Sequence, residues 1–189
     1  MGLDTALGSL LAAFGLSGAA GLNAWLPLFG SAVLARFDVV ELAAPFDDLS
    51  STPALVVLGV LTVADFVGAK IPAVDHVLHL LGTVVAPASG AILFTGQTGL
   101  ETGLPTLAAI LLGGATAGSI HAGRAAVRPL ATGSTAGLGN PVLSLGEDVA
   151  AAVLLVVAFV VPVLAALLVA AVVVAIVSAW RRFRRRRRR

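Results

Sequence analysis

The 189-residue chain contains no cysteine. That removes disulfide frameworks, thiolate metal centres, a cysteine nucleophile and a lipid-modified cysteine anchor. Charge is the next scarcity, at 12% Asp, Glu, Lys and Arg against roughly 25% in an ordinary soluble domain. Eight of the twelve basic side chains are arginines of the last nine residues, Arg181, Arg182 and Arg184–Arg189. Without them, four basic side chains face ten acidic ones over the first 180 residues. The isoelectric point near 10.4 therefore describes a tail rather than a nucleic-acid-binding body, and no nucleic-acid partner is expected. Histidine is limited to His76, His79 and His121, with no paired-histidine metalloprotease spacing and no glycine-rich phosphate loop. No metal, cofactor or catalytic constellation is read from the chain. The Met-Gly-Leu-Asp start has no basic segment, so the first apolar stretch does not read as a cleaved signal peptide.

What is present is apolar: 58% of residues, with a mean hydropathy of +1.02. So few polar groups cannot cover an aqueous surface. The fold class that follows is all-α, a polytopic membrane helix bundle. A helix crosses the hydrocarbon core, roughly 30 Å thick, in about 17–25 residues. The uncharged runs 5–35 and 149–180 hold 31 and 32 residues, and each has breakers near its middle. Pro162 divides the second into two spans. Gly15, Gly18, Gly21, Asn23 and Pro27 mark the first as one helix broken near residues 18–23. Further spans open at or beside Pro53, Pro72 and Pro105, where a missing N–H costs nothing. The expected count is about six, near 6–35, 54–69, 72–95, 105–123, 142–160 and 163–180. They form one transmembrane domain, 1–180, followed by an Arg-rich tail, 181–189.

Abundant Ala, Gly, Val and Leu with almost no Lys points to a GC-rich bacterial genome and a bacterial plasma membrane. The tail sets the orientation, since clustered Arg stays cytoplasmic. Six spans then put both termini inside. The acidic loop with Asp38, Glu41, Asp47 and Asp48 falls outside, as does Glu101, and Lys70, Arg124 and Arg128 fall inside. Arg36 dissents, from an outer helix end.

Ionisable residues at membrane depth cost about 2.5–3.5 kcal/mol each on insertion scales. Three polar groups therefore stand out as candidate ligand or ion sites. The first runs from Asp65 through Lys70 and Asp75 to His79 around Pro72. Asp75 and His79 are four apart and share a helix face, so the carboxylate is placed to orient the imidazole. A bend at Pro72 would bring Lys70 back to Asp65 or Asp75. In the plainer reading, Lys70 and Asp75 are helix ends at the headgroups. The second group, Asn140, Ser144, Glu147 and Asp148, lies on one face behind an Asn-Pro helix start. Its plainer reading is an interfacial acid pair answering Arg124 or Arg128. The third is Asn23 beside the glycine cluster, where a broken helix exposes backbone groups of the kind transporters use. For the glycines themselves, close helix packing is the expected role.

Residues 20–35 and 136–151 match at six of sixteen positions, a faint repeat that would place Asn23 and Asn140 comparably. Gly114 and Gly118 read as packing. His121, Arg124 and Arg128 share a face at an inner helix end. Arg124, Arg128, Arg181 and Arg182 are read as headgroup contacts, with anionic lipid at the tail held by about 1 kcal/mol per Arg. Trp180 is an interfacial belt residue.

Gly21-Leu-Asn-Ala-Trp-Leu-Pro27, Lys70-Ile-Pro-Ala-Val-Asp75 and Asn140-Pro-Val-Leu-Ser-Leu-Gly-Glu-Asp148 resemble the signature segments of DUF4126, a family of small bacterial integral-membrane proteins. The resemblance covers nearly the whole chain and implies a multi-span membrane protein with no established activity. The family pattern also carries a His and an Arg close to where Gly82 and Ala86 stand here, so the polar role of that helix is reduced in this member. The leading expectation is a small permease or channel-like protein for an ion or small polar solute. In it Asn23 and Asn140 supply amides, Asp65 and Glu147 bind cations or coupling protons, and Lys70 is a counter-ion. The rival is a structural or assembly protein whose buried polar groups lock helices. An intramembrane enzyme ranks third, because Asp75 with His79 has no accompanying nucleophile or metal set. Six spans are few to enclose a pathway alone, which makes a homodimer the natural assembly.

Overall fold

A computed structural model describes residues 6–99, 102–135 and 139–186, without the side chains of residues 72, 73, 130, 131 and 183–186. Glu101 and Arg187–Arg189 lie outside the described residues. The secondary structure described is helical throughout: α1 (Ala6–Leu22), α2 (Trp25–Arg36), a 3-10 turn (Phe46–Ser50), α3 (Thr52–Gly68), α4 (Pro72–Thr98), α5 (Thr106–Thr135), α6 (Asn140–Val160) and α7 (Pro162–Arg186). The all-α class stands. Prolines open α3, α4 and α6 within the first two helical positions. Pro162 opens α7 directly after the non-helical Val161.

Four helices are long and apolar enough to cross a bilayer: Val74–Thr98, Thr106–Thr135, Asn140–Val160 and Pro162–Arg182. This is a membrane protein. The apolar helices α1 and α3 have 17 residues each, the short end of the spanning range. At 1.5 Å per residue, the 12 residues of α2 reach only about 18 Å.

The break in the first apolar run falls at Asn23 and Ala24, and it reverses the chain. Gly15 packs against Ala158, Asn23 bonds to Asp148, and Gly30 packs against Leu155. Moving either way from Asn23 thus leads along α6 in the same direction, so α1 and α2 fold back from a shared apex. A second reversal lies at Val161. Gly15 faces both Ala158 of α6 and Ala165 of α7, two residues about 10 Å apart on a straight helix. Every helix consequently runs opposite to the one before it.

One end of the bundle carries the loop 37–51, the α4–α5 connection and the start of α1. Leu10, Phe14 and Leu104 share a cluster with Phe94 and Ala109, and the Ala43 N–H donates to the Gly96 carbonyl. The opposite, polar end carries the α3–α4 hinge, the end of α5, the start of α6 and the descending α7, whose Ile176 meets Gly123. The start of α1 and the end of α7 therefore lie at opposite ends, which corrects the expectation of both termini on one side. The physical reason is the apex at Asn23, which adds one reversal.

Helix α1 sits at the centre, against α4, α5, α6 and α7. Its buried face is Gly, Ala and Ser almost throughout, with Leu16 the one large buried side chain. Small residues let backbones approach, which is how helices associate where lipid is as apolar as leucine. The Ser17 hydroxyl donates to the Gly90 carbonyl at 2.9 Å. Gly114 and Gly118 lie against Pro87, as a packing role requires.

Candidate functional site

The polar residues gather at the apex of the α1–α2 reversal. Asn23 is 4% exposed and every polar atom of its carboxamide is used. Its Oδ1 accepts from the Trp25 and Leu26 N–H groups, both at 3.0 Å, and so satisfies the first turn of α2. Its Nδ2 donates to Asp65 and to Asp148, both at 2.9 Å. One side chain thus ends a helix reversal and ties α3 to α6.

The neighbouring acids Glu147 and Asp148 point into different networks, as adjacent residues about 100° apart on a helix must. Asp148 sits between Asn23 and Lys70, whose ammonium lies 3.2 Å from Asp148 and 3.4 Å from the Ser144 hydroxyl. Lys70 Nζ also stands 4.1 Å over the Phe66 ring. Glu147 Oε2 accepts from Arg124 at 2.6 Å and from Arg128 at 2.9 Å. Arg128 continues to Asp75, and Arg124 donates its other nitrogen to the Gly21 carbonyl at 3.2 Å, in the last turn of α1. These groups are buried: Asp75, Arg128, Glu147 and Asp148 are each less than a tenth exposed.

A cavity of about 160 Å³ opens beside these networks. Its polar lining is Asn23, Asp65, Asp75, His79, His121, Arg124, Arg128, Ser144 and Asp148, and apolar residues of α3 and α4 complete the wall. A buried water needs roughly 10–15 Å³ of probe-occupied space and two to four polar partners, so this cavity has room for several. Asp65 faces it with Asn23 as its hydrogen-bond partner and, among the described residues, with no cation within 4 Å. His79 and His121, which also line the cavity, stack with ring centroids 4.8 Å apart and planes at 29°. Gly82 makes the space for this, since a Cβ there would strike the His121 ring.

The structure thus brings together Asn23, Asp65, Lys70, Asp75, His79, Ser144, Glu147 and Asp148. It leaves out Asn140, whose amide oxygen accepts from Thr132 at 3.1 Å at the exposed start of α6. That departs from the expected equivalence with Asn23. An N-terminal position four residues before Ser144 places Asn140 a full turn outside the cavity. Asp75 does not orient His79: its partner is Arg128, while His79 turns to His121. Lys70 pairs with Asp148 and not with Asp65 or Asp75. Arg124 and Arg128, expected at the headgroups, pair here with carboxylates on α4 and α6. The same pairing lets α5 run on to Thr135, past the expected end near 123. Arg181 and Arg182 are exposed at the end of α7, and His76 is exposed and outside the cavity. His121 was not among the expected ligands. Its signal is its place on one helix face with Arg124 and Arg128.

The family model described as a domain of unknown function (DUF4126) matches residues 10–182. The chain belongs to this family. The match takes in all three segments that meet at the cavity, around Asn23, Lys70 and Glu147–Asp148. No curated protein and no solved structure matches the chain.

Proposed function

We propose that this DUF4126 protein is a small permease or channel-like protein of the bacterial plasma membrane, with the cavity beneath Asn23 as its site for an ion or small polar solute. The observation that carries this reading is Asp65, a carboxylate with no ion pair among the described residues, facing a largely apolar cavity that several polar side chains enter, where two helices reverse. Reversed or broken helices with polar ends are how many transporters hold solutes within the bilayer. Asp65 binds, Asn23 positions it, Asp148 in its pair with Lys70 forms part of the wall, and Glu147 holds the two guanidinia in place. The clustered Arg keeps the polar end cytoplasmic, which puts the start of α1 outside, and Arg181 and Arg182 meet anionic lipid there. We also propose a homodimer, since so small a bundle has few helices with which to enclose a pathway.

The test is flux into liposomes containing the purified protein, with Na⁺, K⁺, Cl⁻ and small neutral solutes as probes. Wild type is expected to exceed empty vesicles for at least one probe, and Asp65→Asn to return to that background. No flux with any probe, or equal flux from Asp65→Asn, removes the reading.

The ion-pair network favours one second reading, a structural or assembly protein whose buried charges lock α4, α5 and α6. Deleting residues 181–189 separates the two. An assembly protein that works through its tail loses its cellular role, and a permease that inserts correctly keeps its flux.

A further inference from the structure

Among the described residues, the charges around the cavity do not balance. Four carboxylates, Asp65 from α3, Asp75 from α4, and Glu147 and Asp148 from α6, face three cations, Lys70 of the α3–α4 hinge and Arg124 and Arg128 from α5. Helix α1 leads into the neutral carboxamide of Asn23, and among the described residues no charged side chain of α2 or α7 lines the cavity. The pairs Lys70–Asp148, Arg124–Glu147, Arg128–Glu147 and Arg128–Asp75 engage every cation. Asp65 remains, half-buried, and a carboxylate drawn out of water is costly unless a positive charge joins it.

A second, independent feature of the cavity has capacity for that charge. His121 is 5% exposed, lines the cavity and makes no hydrogen bond within the protein through either ring nitrogen. The Nε2 of His79, stacked on it, is equally unpartnered. Buried polar atoms are rarely left so, and each one calls for a ligand or a water. Imidazole nitrogens exchange protons in the physiological range, whereas hard metal cations seek oxygen shells. Among the described residues, no group of three or more His, Cys, Asp or Glu is placed to hold a metal ion.

We propose that the cavity is a proton-binding site in which Asp65 and the His79–His121 stack share one exchangeable proton, and that passage of the solute is coupled to it. The coupling rests on the permease reading; the proton site does not. The step is a simple transfer. A proton leaves an imidazolium nitrogen through cavity water and arrives on the Asp65 carboxylate, leaving a neutral ring and a neutral carboxyl. Asn23 Nδ2 stays on one carboxylate oxygen, which leaves the other to take the proton.

The experiment is infrared pH-difference spectroscopy on the full chain in lipid bilayers between about pH 5 and pH 8, for wild type, Asp65→Asn and His121→Gln. Wild type is expected to show a protonated-carboxyl C=O band and imidazole bands changing over the same pH interval. Asp65→Asn removes the carboxyl band, and His121→Gln moves its midpoint by about tenfold in proton concentration, as strongly interacting sites require. A wild type without a carboxyl band, or one unmoved by His121→Gln, overturns the site; the wild-type spectrum decides the first point even if a variant fails to assemble. Vesicles loaded with a pH-sensitive dye and given an imposed potential read the coupling. Infrared bands without proton movement support the site and overturn the coupling. Proton movement without the bands overturns the site and leaves a permease.

Discussion

At the scale of single residues, Asn23 has the most partners for its size. It caps α2 with its oxygen and bridges two carboxylates with its nitrogen. Asn23→Ala is expected to destabilise the protein by about 2 kcal/mol or more, because a cap and hydrogen bonds to charged groups go together. Asn23→Asp should be worse, although it keeps the capping oxygen, since it sets a third carboxylate against Asp65 and Asp148. Thermal unfolding in detergent, comparing the two variants, checks the order. Arg128 is the second such residue, held by Asp75 and Glu147 at 8% exposure. Arg128→Leu leaves Asp75 without its partner and is expected to cost about 3–5 kcal/mol. The double variant Arg128→Leu with Asp75→Leu should recover part of that loss, which a double-mutant cycle measures.

At the scale of elements, the buried face of α1 is mostly Gly and Ala, and its role is proximity. A Cβ on Gly21 would lie 2.6 Å from the Ala117 carbonyl oxygen and 2.7 Å from the Ile120 Cβ. Gly21→Ala therefore forces α1 away from α5, at an expected cost of about 1–3 kcal/mol. It also disturbs the carbonyl that Arg124 binds. Gly146, on the outward side of α6, has nothing within 4 Å of its Cβ position. Gly146→Ala is expected to be neutral or stabilising by up to about 1 kcal/mol, from helix propensity alone. Unfolding midpoints for the pair separate packing from propensity. These elements also show what periodicity can convey. The prolines at 53, 72, 141 and 162 and the runs between them marked where α3, α4, α6 and α7 begin within about two residues. The end of α5 was not legible, because Arg124 and Arg128 look like a helix terminus until their buried partners are known.

For the whole molecule, the reversal at Asn23 decides which end of the bundle receives the start of α1. Because the chain has no cysteine, single-cysteine labelling on intact cells or sealed vesicles reads this directly. Leu7→Cys, at a position 56% exposed, and Asp47→Cys are expected to react with an impermeant thiol reagent from the same side. Arg182→Cys should react only from the other. If Leu7→Cys and Arg182→Cys share a side, the fold-back of α1 on α2 is wrong.

Membrane residence, the helical class, the prolines that open spans and the shortlist of polar residues followed from the sequence by itself. Each depends on local composition and period: apolar runs match the bilayer thickness, and a charge inside such a run is costly enough to stand out. Tertiary structure alone decided which of those polar residues meet. It paired Lys70 with Asp148, took Asp75 from His79 and gave it to Arg128, set Asn140 aside and brought in His121. Partners on separate helices lie up to 125 residues apart in the chain, as Asn23 and Asp148 do. No local spacing encodes that distance, which depends on how closely α1 lets its four neighbours approach.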